Sequence, residues 1–273
     1  MRRRFIALGF ALQLLTIPTT LPAQSRVNVD FTGDGVVNFF DFLEFAVGFG
    51  NLDLKVDLDG NGAIDFLDFV VFAIEFGKPP KKTTTYEVIF EGKWSQETHP
   101  DDFPVFRNYF SWLGGATHNS DVVFWQLDGL ATPGIKQMAE LGFTDRLRVE
   151  VEVAIEAGTA EFVLAGGDIE RSPGLVTLAF EITESHPLVT LVTMLGPSPD
   201  WFVGVSGANL FPEGTWLDTF AVDLYTYDAG TDSGVTFETE DVITDPPQPI
   251  TRILSSLFPA TSPPLGTFTF VRQ

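Results

Sequence analysis

Two twelve-residue stretches near the front of the chain carry oxygen-bearing side chains at a spacing that can hold a cation. They read Asp-Phe-Thr-Gly-Asp-Gly-Val-Val-Asn-Phe-Phe-Asp from Asp30 to Asp41 and Asp-Leu-Asp-Gly-Asn-Gly-Ala-Ile-Asp-Phe-Leu-Asp from Asp57 to Asp68. Loop positions 1, 3, 5, 9 and 12 are Asp30, Thr32, Asp34, Asn38 and Asp41 in the first copy, and Asp57, Asp59, Asn61, Asp65 and Asp68 in the second. Gly35 and Gly62 stand at position 6, where the chain must turn sharply, and Val36 and Ala63 at position 7 can each offer a backbone carbonyl. Calcium takes six or more hard oxygen ligands, and an EF-hand-type loop aims them inward at this spacing. Asp41 and Asp68 replace the usual bidentate Glu, and Thr32 stands where Asp or Asn is commoner. The first loop is therefore the weaker expected site and the second the stronger.

A further gathering of acids comes late in the chain. Trp201 to Ser206 and Leu217 to Tyr227 are rich in aromatic and β-branched residues, separated by Gly, Pro and Asn, which predicts an antiparallel hairpin. If the two runs pair antiparallel, Asp200 and Asp228 meet at one end, with Asp232 close by in a Gly-flanked loop. No Lys or Arg lies between Asp200 and Asp232. Carboxylates so crowded repel unless a cation or protons relieve them. Turn capping competes with this reading, because Asp before Gly often bonds its own backbone. Spacing alone leaves both roles open for Asp228 and Asp232.

The elements that must position these residues fall into two groups. Asp30, Gly33, Gly35, Phe39, Asp41, Phe42, Phe45, Ala46, Phe49 and Gly50 recur 27 residues later as Asp57, Gly60, Gly62, Phe66, Asp68, Phe69, Phe72, Ala73, Phe76 and Gly77. One supersecondary unit is used twice. After each loop, Phe42, Phe45 and Phe49, and likewise Phe69, Phe72 and Phe76, recur at helical spacing and stop at Gly50 and Gly77. Each Phe stripe is expected to pack on its twin, and Val37 to pair with Ile64 across the loops. From Thr83 onward, short strands and turns dominate. Leu147, Val149, Val151, Val153 and Ile155 alternate with polar residues, which predicts a strand, and Val176–Thr183, Leu188–Leu195 and Thr267–Val271 add others. One helix is expected between Thr132, as N-cap before Pro133, and Gly142. Many strands, one helix and no βαβ alternation indicate a mainly β antiparallel sandwich.

The domain plan that follows is a leader at 1–23, a duplicated calcium-loop unit at 24–77, a linker at 78–85 and the sandwich at 83–273. The leader has Arg2, Arg3 and Arg4, an apolar run from Phe5 to Leu15, and small residues up to Ala23, the pattern of a signal peptide. Export to the extracellular space is therefore expected, with no second apolar run of the ~20 residues that a membrane span needs. The formal charge of −21 disfavours nucleic acid and anionic membrane surfaces as partners and favours cations. With no Cys in the chain, thiolate metal sites and disulfides are excluded.

Three long segments also carry a family resemblance. Gly114–Trp125, Pro197–Gly207 and Tyr227–Gly234 look like the spondin domain of the F-spondin and mindin family, and Tyr86–Ser95 and Pro249–Ile253 extend the likeness. The resemblance implies a calcium-binding C2-like β-sandwich in extracellular adhesion and recognition, without catalytic activity. It also implies calcium ligands at Glu181, Asp200 and Asp228, with a carbonyl near Gly196. The duplicated loop-helix unit resembles the dockerin module, which docks onto cohesin domains, and its calcium ligands are those of the two loops above.

Enzyme chemistry finds little support. His99, His118 and His186 are the only histidines, and none has the spacing of a paired zinc site. His118 lies between Ser111 and Asp121, but no Gly-x-Ser-x-Gly elbow surrounds the serine. The reading is a secreted calcium-binding protein that is not an enzyme. Its expected partners are calcium, a cell-surface or matrix protein or glycan, and a cohesin-like domain. An assembly component carrying the sandwich as cargo, or a secreted carbohydrate-active enzyme, are the alternatives.

Overall fold

The computed structural model describes residues 29–49, 54–78 and 82–273. The expected leader, the helix stop at Gly50 and linker residues 79–81 lie outside them. Two compact units divide the chain, Met1–Pro80 and Lys81–Gln273.

In the small unit each loop runs into a ten-residue helix, α1 (Phe39–Gly48) and α2 (Phe66–Glu75). The loop residues themselves start the helices. Asn38 and Asp65 are N-caps that accept from the N–H groups of Phe40 and Leu67, both at 2.8 Å. Asp41 and Asp68 reach back to the N–H groups of Asn38 and Asp65, at 2.8 and 2.7 Å, completing a capping box in each copy. Phe45 and Phe72 stack at 5.4 Å and are each 1% exposed, at the centre of a core that includes Val29, Val56 and Leu58. Phe49 and Phe76, the last of each stripe, are about half exposed, at 49% and 47%. Val37 and Ile64 both pack against this core, but no ladder joins them. The Val37 carbonyl instead accepts the N–H of Gly77 at 2.8 Å, just beyond α2.

The large unit is two antiparallel sheets. One has the order β5-β1-β11-β8, formed by Gly174–Thr183, Thr83–Gly92, Gly266–Arg272 and Thr219–Leu224. The other runs β10-β9-β7-β6-β3-β4, formed by Thr251–Arg252, Tyr227–Asp228, Trp201–Asn209, Leu188–Gly196, Gly114–His118 and Ala160–Ala165, with β2 (Tyr109–Phe110) on β6. Inward residues at alternate positions, such as Tyr86, Val88 and Phe90 of β1 and Phe268 and Phe270 of β11, meet Leu191, Leu195, Val203 and Val205 of the second sheet. Thr83–Thr85, part of the expected linker, belong to β1 and pair with β5.

Two helices cover the outer face of the second sheet. α3 (Pro133–Leu141) begins as expected, with the Thr132 hydroxyl accepting the N–H of Ile135 at 3.1 Å, and ends at Gly142 with φ +72°. α4 (Asp145–Glu156) replaces the strand expected over 147–155. Its buried residues are Leu147, Val151 and Ala154, a helical spacing hidden inside the alternation, while Val149 and Val153 are more than half exposed. Arg148 and Glu152, four apart, pair at 2.9 Å on its open side. Burial of the 147, 151 and 154 face against the sheet outweighs the weak strand preference of the valines. With α3 and α4 above and the first sheet below, β6 is buried on both faces, which accounts for its largely apolar run, interrupted only by the buried Thr190 and Thr193.

Glu150 ties the two helices together. One of its oxygens accepts the N–H of Gly134 and the other the hydroxyl of Thr132, both at 2.7 Å. A carboxylate at a helix N-terminus also meets the positive end of the helix dipole. Glu150→Ala is expected to lower stability by about 1–2 kcal/mol, the loss of a cap and its dipole contact. Urea unfolding followed by Trp fluorescence measures this, because all five Trp lie in the large unit.

Candidate functional site

The hairpin expected from Trp201 to Tyr227 does not form as one element. β7 pairs with β6 and, at its start, with β9, whereas β8 joins β11 in the other sheet. The intervening chain crosses between sheets because Phe220, Val222 and Leu224 pack against the inter-sheet core. Only the ends meet: Trp201 lies opposite Asp228 and Phe202 opposite Tyr227. That short ladder still brings Asp200 and Asp228 together, and the Asp200 carbonyl accepts the N–H of Ala229 at 3.1 Å.

Asp200 is fully buried. Its Oδ2 accepts three bonds, from the N–H and hydroxyl of Thr231 at 2.7 and 3.2 Å and from the N–H of Asp232 at 3.0 Å. Its Oδ1 is buried and has no partner. Burial, and then the charge of Asp228, push the Asp200 carboxyl up to about 6, against the smaller effect of the Thr231 and Asp232 N–H groups. Burial also raises Asp228; the Gly230 N–H, bonded to its Oδ1 at 2.7 Å, opposes this and the charge of Asp232 adds to it. Two raised carboxyls, one of them with a buried oxygen that has no partner, repel each other, and a cation or a proton would relieve them.

Asp232 has a different task. Its Oδ1 accepts the N–H of Gly234 and its Oδ2 that of Val242, both at 2.7 Å, which closes the loop over residues 232–242. Thus both Asp228 and Asp232 cap their own turns, through the N–H groups of Gly230 and Gly234, and the loop that Asp232 closes presents the Thr231 and Asp232 amides to Asp200. Gly230 makes the approach possible. At φ +74°, a Cβ there would lie 2.0 Å from the carbonyl oxygen of Gln248.

Glu181 is not brought to this site. It lies on β5 in the four-stranded sheet, opposite Thr85, with its side chain exposed. The strand period decides this, since Phe180 and Ile182 on either side turn into the core. Gly196 ends β6 opposite Tyr109, whose ring fills the space that a side chain would need.

In the small unit, Asp30, Asp34 and Asp41 form one group with oxygens within 4.8 Å of one another, and Asp57, Asp59 and Asp68 form another. The two groups differ in how many of those oxygens are already engaged. Asp30 accepts N–H groups on both oxygens, from Gly33 and Asp34 on one and Gly35 on the other. Asp57 uses only Oδ2, for the Gly62 N–H at 2.8 Å, and its Oδ1 is buried without a partner. Position 12 is engaged in both copies. Asp41 takes N–H groups from Thr32 and Asn38, and Asp68 takes them from Leu58, Asp59 and Asp65. Burial raises the Asp41 carboxyl, and these donors together outweigh it to hold the group below its ordinary value. Asn38 Nδ2 bonds to the Val36 carbonyl and to Asp34, and Asn61 Nδ2 bonds to Asp59. The Ala63 N–H bonds to Asn61. Gly35 and Gly62, at φ +85° and +87°, make the turn at position 6.

One buried polar network escaped the sequence reading. Glu161 on β4 accepts the Thr183 hydroxyl and lies 3.3 Å from His186 Nδ1, which also faces Ser185 Oγ at 3.0 Å. Serine and carboxylate share the same ring nitrogen, and Nε2 faces the Gly158 carbonyl at 3.0 Å. A serine nucleophile needs the nitrogen opposite its carboxylate, so this arrangement is a clamp on the β5–β6 turn and not a triad. His118 is likewise enclosed, between the Asn119 carbonyl and the Thr190 hydroxyl. The sequence signal for both is a polar residue inside an apolar strand context, which burial alone converts into a network.

Residues 84–264 match the family model described as Spondin_N. Human spondin-2 is 37% identical over 201 residues, covering 68% of this chain and 61% of that protein. Chicken spondin-1 is 35% identical over 189 residues, covering 66% of this chain and 23% of that protein. The chain thus spans less than two thirds of either relative. Among the described residues, no helix is long and apolar enough to cross a membrane.

Proposed function

The chain belongs to the Spondin_N family, and from that premise we propose that it is an exported calcium-binding protein whose sandwich recognises a cell-surface or matrix partner. The observation that carries the calcium part is the buried, unpartnered Oδ1 of Asp200 beside Asp228. A buried acceptor left without a donor is costly, and a bound cation removes both that cost and the repulsion between the two carboxylates. Asp200 and Asp228 would hold this ion. In the small unit, Asp57, Asp59, Asn61, Ala63, Asp65 and Asp68 would hold a second, where Asp57 Oδ1 offers a similar unpartnered oxygen. Asp30, Thr32, Asp34, Val36, Asn38 and Asp41 would hold a third more weakly. Calcium supplies charge and fixed geometry at each place, and its binding free energy adds to folding.

Calorimetric titration of the full chain with calcium tests this. About three sites are expected, with one lost in Asp200→Asn and one in Asp57→Asn. A titration of Asp200→Asn identical to the parent would remove the sandwich site.

The exposed helix faces favour a second reading for the small unit, as a docking module for a cohesin-like domain. Phe39, Phe40, Leu43 and Val47 of α1 are exposed, and their counterparts Phe66, Leu67, Val70 and Ile74 of α2 repeat the pattern. Immobilised cohesin domains that fail to retain the full chain, with calcium present, would end this reading.

A further inference from the structure

Trp112 is the one Trp whose ring is mostly in solvent, 63% exposed, while Trp94, Trp125 and Trp201 are buried and Trp216 is half-buried against the core. Its place is rigid. The chain on either side is bonded to two neighbours: Ser111 N–H to the Met194 carbonyl at 3.1 Å, Leu113 N–H to the Gly167 carbonyl at 3.1 Å, and Gly166 N–H to the Leu113 carbonyl at 3.0 Å. The ring itself is held by its Nε1–H, which donates to Asp168 Oδ2 at 3.1 Å. Further along the same pair of segments, the Arg171 guanidinium donates to the Val105 carbonyl at 3.1 Å, and Phe106 beside it is 91% exposed.

We propose that this ladder is a glycan-binding platform, in which the Trp112 ring stacks on the apolar face of a pyranose and Asp168 accepts its hydroxyl. The inference names the partner class for the recognition reading above and rests on it. An exposed aromatic ring draws in an apolar surface, and its π-face favours polarised C–H groups. Two features select a sugar over a protein. The ring is pinned before any partner arrives, which lowers the ordering cost for a small rigid ligand. Charged residues stand close to the ring in the chain, Asp168 bonded to it with Glu170 and Arg171 just beyond, whereas a stable protein interface needs about 800 Å² of each partner with a mostly uncharged centre. Asp168 is already engaged through Oδ2 by the indole N–H, and its Oδ1 takes no bond among the described residues, so it has an oxygen to accept an incoming hydroxyl. Phe106 lies at most about 20 Å from Trp112 along the chain, within the length of a few sugar units. A chain of net charge −21 repels a polyanion, which points to a neutral oligosaccharide.

A panel of neutral hexasaccharides, built from glucose, mannose, xylose and N-acetylglucosamine in their common linkages, is titrated into the full chain with Trp fluorescence as readout. Quenching or a blue shift is expected with at least one of them, because Trp112 is the solvent-exposed reporter. Trp112→Ala should remove the response and weaken binding at least tenfold by calorimetry. Asp168→Asn retains an acceptor for the indole N–H and should keep most of the binding, whereas Asp168→Ala should lose it. Circular dichroism of each variant should match the parent, since these side chains lie outside the core. Equal binding by Trp112→Ala overturns the proposal. So does silence across the panel while the full chain still adheres to matrix material, an outcome that leaves the recognition reading standing. Failure of both the panel and the adhesion assay overturns that reading as well.

Discussion

With metal removed, the large unit should become more stable as the pH falls from 7 to 5, relative to its Asp200→Asn variant. The folded Asp200 carboxyl is raised from 3.8 to about 6 by burial and by Asp228. A group raised on folding contributes its stability fully below its unfolded value, and that contribution is lost as the pH rises through the folded value. About two units of difference amount to about 3 kcal/mol, so the charged Asp200 of the metal-free protein at pH 7 is a liability of that order. Burial acts oppositely on His99 and His118, whose imidazoles it holds below the usual range. Their contribution is present above the unfolded histidine value and is lost as the pH falls toward their folded values. Both occur equally in parent and variant, whereas Asp228, charge-coupled to Asp200, changes with it, so the difference between the two curves reports the Asp200 and Asp228 pair. Chelated samples unfolded in urea at pH 5, 6 and 7, followed by Trp fluorescence, give that difference. Parallel curves would mean that the buried carboxylate is relieved by some other group. Added calcium should raise the parent's stability most at pH 7 and progressively less at pH 5, where protons compete for the same oxygens.

Phe72→Ala should unfold the small unit when calcium is absent. Phe72 touches Phe31, Phe42, Phe45 and Phe76, with ring centroids between 5.4 and 6.3 Å, and is 1% exposed. Removing a buried Phe costs about 3–5 kcal/mol. A module of about fifty residues has only about 3–7 kcal/mol to lose, on the usual scale of stability per residue. The expected result in chelator is loss of the α1 and α2 contribution to the far-ultraviolet dichroism, with Trp fluorescence unchanged because no Trp lies in this unit. Millimolar calcium should restore the helices, since an ion bound only by the folded loops shifts the equilibrium by several kcal/mol when it is well above its dissociation constant. If the variant stays helical in chelator, the Phe45 and Phe72 stack is not what holds the unit. If calcium fails to restore it, the loops do not couple metal to folding.

Much of this architecture was legible because it rests on local chemistry. The repeated loops, the Gly35 and Gly62 turns and the Thr132 to Gly142 helix are set by residues within a few positions of one another. The capping boxes of α1 and α2 were equally local, but the same Asp41 and Asp68 that suit a metal also suit a helix start, and the metal pattern obscured the cap. The reading of 147–155 failed for a different reason. Its alternation satisfies a strand on paper, and only the presence of a sheet face beside α3 to receive Leu147, Val151 and Ala154 makes the helical spacing the better one.

By itself the sequence determined the duplicated unit and the sandwich class, since each follows from periodicity, turn residues and order along the chain; it paired Asp200 with Asp228 through a hairpin that does not form, and only the short β7–β9 ladder joins them. Tertiary structure alone decided that β8 leaves β7 for the other sheet, that Glu181 points to solvent, and that one oxygen of Asp200 is sealed without a donor. It also decided that Trp112 stands exposed while Trp94, Trp125 and Trp201 are buried. Burial and partner are properties of what lies across space from a residue, and residues far apart in the chain supply them.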